Sequence, residues 1–321
     1  MRTLRIYKRI IKTVDGAVNN IILVCIVLPM VFAGYALWDS NQIYSAADNS
    51  NYAVYKPTAE SAGKSFEELQ AVNPEVFAWI TVYGTHIDYP VTHGDDNMKY
   101  VNTSAEGQYS LSGSIFLDSY NNLNFNDFNN ILYGHHMAKK VMFGEIEDFA
   151  DHFMFDTHEY GNLYFDGKDH GIEFFAYIHT DAYDFSVFNP RVTDDGRGAF
   201  LSGLLEKAAY VRDIGMTADD HIILLTTCSS DSTNGRDILA GRITYAVFAD
   251  TFTGAAAAKT EQADPEYANG HVKNISVWQW VLLLMLSIFI LIYLSAFLIN
   301  RKKTYIKQFK TGYGRIQNER I

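Results

Sequence analysis

Cysteine is almost missing from this chain. Two in 321 residues, Cys25 and Cys228, are too few for a disulfide framework. Proline is scarce as well, with six residues, and the 22 glycines follow no period, which excludes collagen-like and proline-rich repeats. Positive charge is outnumbered: 26 Lys and Arg stand against 37 Asp and Glu, and a net charge of -11 leaves no basic footprint for nucleic acid over the chain as a whole. Apolar and aromatic residues are plentiful, at 48% and 14%, which excludes a disordered chain. The length suits one large domain or two ordinary ones, and no internal repeat is visible.

The basic residues that do occur are gathered at the two ends. Arg2, Arg5, Lys8, Arg9 and Lys12 face only Asp15 before residue 39, and seven basic residues face only Glu319 after residue 275. The body between is therefore far more acidic than the average. Each basic end abuts an apolar run. Residues 275–299 carry no charge and exceed the roughly 20 residues that span a bilayer core. Trp278 and Trp280 stand near the start of that run, where interfacial aromatics are favoured, and Arg301, Lys302 and Lys303 follow it. Residues 21–38 form a second run, interrupted by Pro29 and Gly34. It reads as a transmembrane helix or signal anchor; the rival reading is a signal peptide cut among the small residues near Ala33 and Ala36. The positive-inside rule then predicts a cytoplasmic basic end at 1–20, a cytoplasmic basic tail at 300–321, and a body outside the cytoplasm.

Within the body, residues 39–65 are rich in Asn, Ser and Ala and read as a stalk, and residues 253–274, with Ala255 to Ala258 in succession, read as a linker. A single domain is expected over 66–252. Its signal is mainly β. Strands are expected at 77–82, 86–91, 114–117, 130–133, 163–165, 172–178, 221–226 and 238–248, with Asp166-Gly167 closing a hairpin. Helical spacing of Phe143, Ile146, Phe149 and Phe153 predicts a helix over 142–156, and Phe200, Leu204, Leu205 and Ala208 predict another over 197–211. A further helix starts the domain near 65–72. Many short strands with inserted helices indicate a barrel rather than a parallel sheet.

Cys25 lies in an apolar run, so Cys228 has no intramolecular disulfide partner, and an unpaired thiol outside the cytoplasm is a candidate reactive group. Cys228 ends an apolar strand and is followed by a run of loop formers, Ser229 to Gly235. Arg236 opens the next strand, and an antiparallel return brings its guanidinium beside the thiol, where it favours thiolate or holds an oxyanion. Arg242, six residues on, is the competing cation. A cysteine nucleophile also needs a histidine. His135 and His136 follow Tyr133-Gly134 at a strand end, and spacing does not choose between them. Asp231, in the loop between Cys228 and Arg236, is a candidate to orient His135 or Arg236, against the reading that it is a solvated loop acid; Thr227 is a candidate substrate contact. No compact ligand spacing points to a metal, and no cofactor is implied.

These residues stand in blocks whose order resembles the sortases, cysteine transpeptidases of the bacterial surface, and among them class B. The blocks are Asn73-Pro74 with Ala78-Trp79-Ile80, Ile87 to Val91, Gly113 to Asp118, Tyr133 to Met137, Met142 to Gly144, Leu225 to Cys228, and Gly235-Arg236. The resemblance implies a closed β-barrel with an N-terminal helix and a helix before the cysteine strand, here flanked by two transmembrane helices. It implies His135, Cys228 and Arg236 as the catalytic residues, and His136 as a polar neighbour. It implies that the substrate is a secreted protein with a C-terminal sorting motif, joined through a thioacyl-enzyme to an amine of a cell-wall precursor or a pilin lysine. Two positions depart from the pattern: Leu224 stands where Thr is usual, and the C-terminal apolar run, commoner in pilin-polymerising sortases, leaves the acceptor open. Two other classes are weighed against it. A non-catalytic tethered domain on the same scaffold would have lost Cys, His or Arg. An L,D-transpeptidase would place Ser-x-Gly-Cys at the nucleophile, which is absent.

Overall fold

The computed structural model describes residues 2–58, 64–230, 232–252 and 287. Helix α1 (Arg2–Ala47) is continuous through Pro29. It contains the one stretch among the described residues, Arg5–Ala47, that is long and apolar enough to cross a membrane. Ile21, Leu28, Phe32 and Leu37 on it are exposed, as lipid-facing side chains of an anchor would be. The linker expected at 253–274 and, apart from residue 287, the second span expected at 275–299 lie outside the described residues.

The described residues between Asp39 and Phe252 form a separate compact unit built on a barrel. Its strands are β1 (Val76–Val82), β2 (Asp88–Thr92), β3 (Ile115–Leu117), β4 (Asn129–Tyr133), β5 (Tyr160–Phe165), β6 (Lys168–Asp181), β7 (Ala208–Val211), β8 (His221–Cys228) and β9 (Gly235–Thr244). The order is β5-β1-β2-β3-β4-β8-β9-β6, and β5 pairs β6 to close a ring of eight; β7 adds to β6 outside it. Closure leaves no edge in that ring for another chain to pair with. Every pairing is antiparallel except β2 with β3 and β4 with β8. The β5–β6 hairpin turns at Asp166 and Gly167, both at positive φ, which is the primed turn that matches strand twist.

Side chains alternate across β8, and both faces are covered. Ile223 and Leu225 join the barrel interior with Leu132 and Leu239. Ile222 and Leu224 join a second cluster with Ile238, Phe128 and the side chains Leu201 and Leu204 of helix α4, whose bounds are Arg197–Lys207. Burial on both sides is why this strand reads as an unbroken apolar run. It also accommodates Leu224, which is fully buried. Helix α2 (Lys64–Val72) caps another wall, setting Phe66 edge-on to Trp79 at 6.4 Å.

Three local expectations change. No single helix runs over 142–156. A 3-10 turn (Ile146–Ala150) is followed by a short helix α3 (His152–Thr157). Asp151 divides them by accepting from Phe153 N and Met154 N, so a capping side chain overrides the apolar spacing. Helix α4 ends at Lys207 rather than 211, because the next four residues pair with β6 as β7. The segment read as a stalk packs on the barrel over 39–58: Ala47 and Tyr52 are buried, Tyr89 Oη donates to Ala47 O at 3.0 Å, and Lys56 pairs Asp88 at 2.8 Å. Its tyrosines outweigh its polar composition.

Leu225 sits at full burial between the two halves of the ring. Leu225→Ala is expected to lower the unfolding free energy by about 2–5 kcal/mol. Urea titration should show this as a lower midpoint at unchanged slope.

Candidate active site

Strand β8 lies between a parallel neighbour and an antiparallel one. On the first side Tyr133 pairs Thr226, and Gly134 N donates to Thr226 O at 3.1 Å. Continuing that register by two residues brings His135 level with Cys228. On the other side Cys228 pairs Arg236 directly. Cys228 is the last residue of β8 and the first exposed one after a buried run. All three side chains line one cleft of about 380 Å³, together with Asn97, Val101 and Tyr133. A larger cleft, of about 520 Å³, lies between α2 and the Asp166-Gly167 turn and is lined by no thiol or histidine.

The histidine is held from two directions. A carbonyl only accepts, so His135 Nε2–H donates to Val101 O, at 2.8 Å, and in the neutral ring this leaves Nδ1 as the acceptor. Behind the ring, Phe143 N donates to His135 O at 3.1 Å. Gly134 is required by close approach: a Cβ there would lie 2.5 Å from Ile115 Cδ1 and 2.6 Å from Phe143 Cδ2. His136 takes the other direction. It bridges Met142, and its Nε2 lies 2.6 Å from Glu147 Oε2. The choice that spacing left open between the two histidines is thus one of orientation, and only His135 lines the cleft.

Arg236 is half-buried and donates from Nη1 to Gly235 O at 2.9 Å. Arg242 pairs Ile222 near the far end of β8 and is engaged by Glu173 and Asp220. Thr227 is buried opposite Asp237, and its hydroxyl has no hydrogen-bond partner among the described residues. Asp231 lies outside the described residues.

Sequence reasoning missed the supports of the cleft. Asp118 is buried and accepts from Asn97 Nδ2 at 2.8 Å, Tyr133 Oη at 3.0 Å and Tyr120 N at 2.9 Å. Tyr133 is held well above its ordinary pKa, first by burial and then by the Asp118 carboxylate, with Arg236 opposing. Asp237, behind Arg236, accepts from Tyr177 Oη and from His179 Nδ1, both at 2.9 Å. A carboxylate next to a buried strand residue was the available signal in both cases.

This is the layout of a cysteine acyl-transfer enzyme: an accessible thiol with an imidazole and a guanidinium in one cleft. No family model matches the chain. Sortase B of Staphylococcus aureus (strain NCTC 8325 / PS 47) is 31% identical over 189 residues, which cover 57% of this chain and 76% of that one. A crystal structure of a Streptococcus pyogenes class B sortase involved in pilus biogenesis is 40% identical, with a TM-score of 0.53, over 56% of this chain and 98% of that one. A Staphylococcus aureus sortase B–substrate complex is 29% identical, with a TM-score of 0.52, over 56% of this chain and 85% of that one. The chain belongs to the class B sortases, and its enzyme type is the cysteine transpeptidase.

Gly134→Ala forces Ile115 or Phe143 to move. Overpacking of this kind costs about 1–3 kcal/mol. The expected result is a folded protein with a lower melting temperature and at least tenfold lower transpeptidation, read by calorimetry and peptide turnover.

Proposed function

We propose that this protein is a membrane-anchored transpeptidase whose nucleophile is Cys228, whose acid and base is His135, and whose oxyanion-binding cation is Arg236. The observation that carries the reading is the register of β4, β8 and β9, which sets the three side chains at one level in one cleft. The Cys228 thiolate attacks a backbone carbonyl within the sorting motif of a secreted protein. His135, as imidazolium, gives its proton to the leaving amine, and a thioester remains on Cys228. An incoming amine then attacks the thioester. His135 takes the proton that this amine releases, and the thiolate departs. Arg236 stabilises the oxyanion in both tetrahedral steps, where a fixed cation needs no reorganisation.

The membrane anchor is residues 21–38 within α1, and the barrel stands outside the cytoplasm; the exposed apolar face of the helix supports this. The two termini are cytoplasmic on the same argument from basic residues. The acceptor is an amine of the cell-wall precursor or a lysine of a pilin. The involvement of the Streptococcus pyogenes relative in pilus biogenesis and the apolar run at 275–299 both point toward the second.

The test uses the full chain in detergent with a panel of sorting-motif peptides and candidate amines. A thioacyl adduct on Cys228 is expected by mass spectrometry, transferring when the right amine is added. Cys228→Ala should give none. His135→Ala and Arg236→Ala should each lower kcat/KM by about 10²–10⁴-fold. An active His135→Ala enzyme would overturn the assignment of the base.

A further inference from the structure

The ladder between β4 and β8 stops short of the two reacting groups. Its last bond is Gly134 N to Thr226 O, and among the described residues no backbone hydrogen bond to β8 holds His135 level with Cys228. What continues beyond it is a side chain. Glu147 reaches both outgoing segments. Its Oε2 lies 2.6 Å from Nε2 of His136, the residue after His135. Its Oε1 accepts from Ser230 Oγ, at 2.6 Å, two residues after Cys228. Each carboxylate oxygen therefore serves one of the two segments, and neither bond involves a group that lines the cleft.

The carrier of this carboxylate is firmly seated. Glu147 stands in the 3-10 turn Ile146–Ala150, whose Ile146 and Phe149 are fully buried in the barrel core. The turn is joined to the histidine segment by a tight return. His136 bridges Met142, Phe143 N bonds His135 O, and a Cβ on Gly144 would lie 2.1 Å from Met137 O. The turn thus moves with the barrel, and Glu147 transmits that fixed position to both strand exits.

From this geometry we infer that Glu147 is a positioning residue. Through His136 and Ser230 it holds His135 in register with Cys228 beyond the end of the β4–β8 ladder. The inference rests on the proposed roles of His135 and Cys228. Glu147 is more than a third exposed, so its ion pair adds little to global stability. Its effect belongs in the chemical step, because a small misplacement of a base costs rate rather than binding.

The experiment compares Glu147→Ala, Glu147→Gln, Ser230→Ala and His136→Ala in the full chain with a cleaved sorting-motif peptide. Glu147→Ala is expected to lower kcat three- to tenfold, with KM and melting temperature unchanged and with unchanged alkylation of Cys228 by iodoacetamide. Glu147→Gln keeps an acceptor for His136 and a donor for Ser230, so it should return kcat to within twofold of the parent. His136→Ala should match Glu147→Ala, and the double variant should lose no more than either alone. His135→Ala serves as the reference for the underlying roles. If it is inactive while Glu147→Ala keeps the parent kcat, the positioning role is wrong and the catalytic assignment stands. If Glu147→Gln is as slow as Glu147→Ala, the bridge is not what positions the base. If Glu147→Ala does not fold, the Ser230→Ala and Glu147→Gln enzymes carry the same comparison, and parent kcat in Ser230→Ala overturns the bridge.

Discussion

The site depends on one backbone pairing, the parallel ladder of β4 with β8. Two antiparallel neighbours finish at opposite rims of a barrel. Two parallel neighbours finish at the same rim, because both chains travel the same way. The segment leaving β4, with His135 two residues past its end, and Cys228 at the end of β8 therefore emerge at one rim, where the Glu147 bridge has only to finish an alignment that the ladder begins. Strand β9 starts at that rim and runs back, so its second residue, Arg236, stands beside the thiol for the same reason. Three chemical groups from three segments are assembled by hydrogen bonds that carry none of the chemistry.

That arrangement asks for a stiff central strand, and β8 is stiff because it is buried on both faces. Leu225 and Ile223 fill the barrel, while Leu224 and Ile222 fill the layer under α4. Polar side chains begin at Thr226 and exposure begins at Cys228. The thiol thus sits at the boundary where apolar packing gives way to solvent, accessible in position on a backbone anchored by burial. Part of the cleft wall is a satisfied polar cluster, with Asp118 taking three donors, while the buried hydroxyls of Thr226 and Thr227 have no hydrogen-bond partner among the described residues.

Much of this was legible from residues alone. The apolar run ending at Cys228, the glycine-histidine exit after Tyr133 and the arginine opening the next strand each carry a local signal, and the Asp166-Gly167 turn announces its hairpin. What stayed hidden was whatever depends on a partner distant in sequence. The spacing of Phe143, Ile146, Phe149 and Phe153 resembles one helix, but Phe153 is exposed and Asp151 caps a new start. Ala208 to Val211 reads as helix until β6 is there to pair with it. The role of Glu147 is invisible in sequence, since its two partners come from segments that only the barrel brings near.

The chain between β4 and β8 is long, and it holds β5, β6, α4 and β7. A parallel connection needs a crossover, and here the crossover holds two of the eight ring strands. Closing a ladder over such a separation is entropically slow, and it comes after local hairpins such as β5–β6. A chain that folds as it emerges from its N-terminus presents its histidine early and its thiol near the end. A barrel built only as far as β7 holds the histidine without the thiol. On the proposed assignment, the pair of His135 and Cys228 therefore comes into being only once β8 has joined β4, and the fold itself sets the earliest time at which the enzyme becomes able to act.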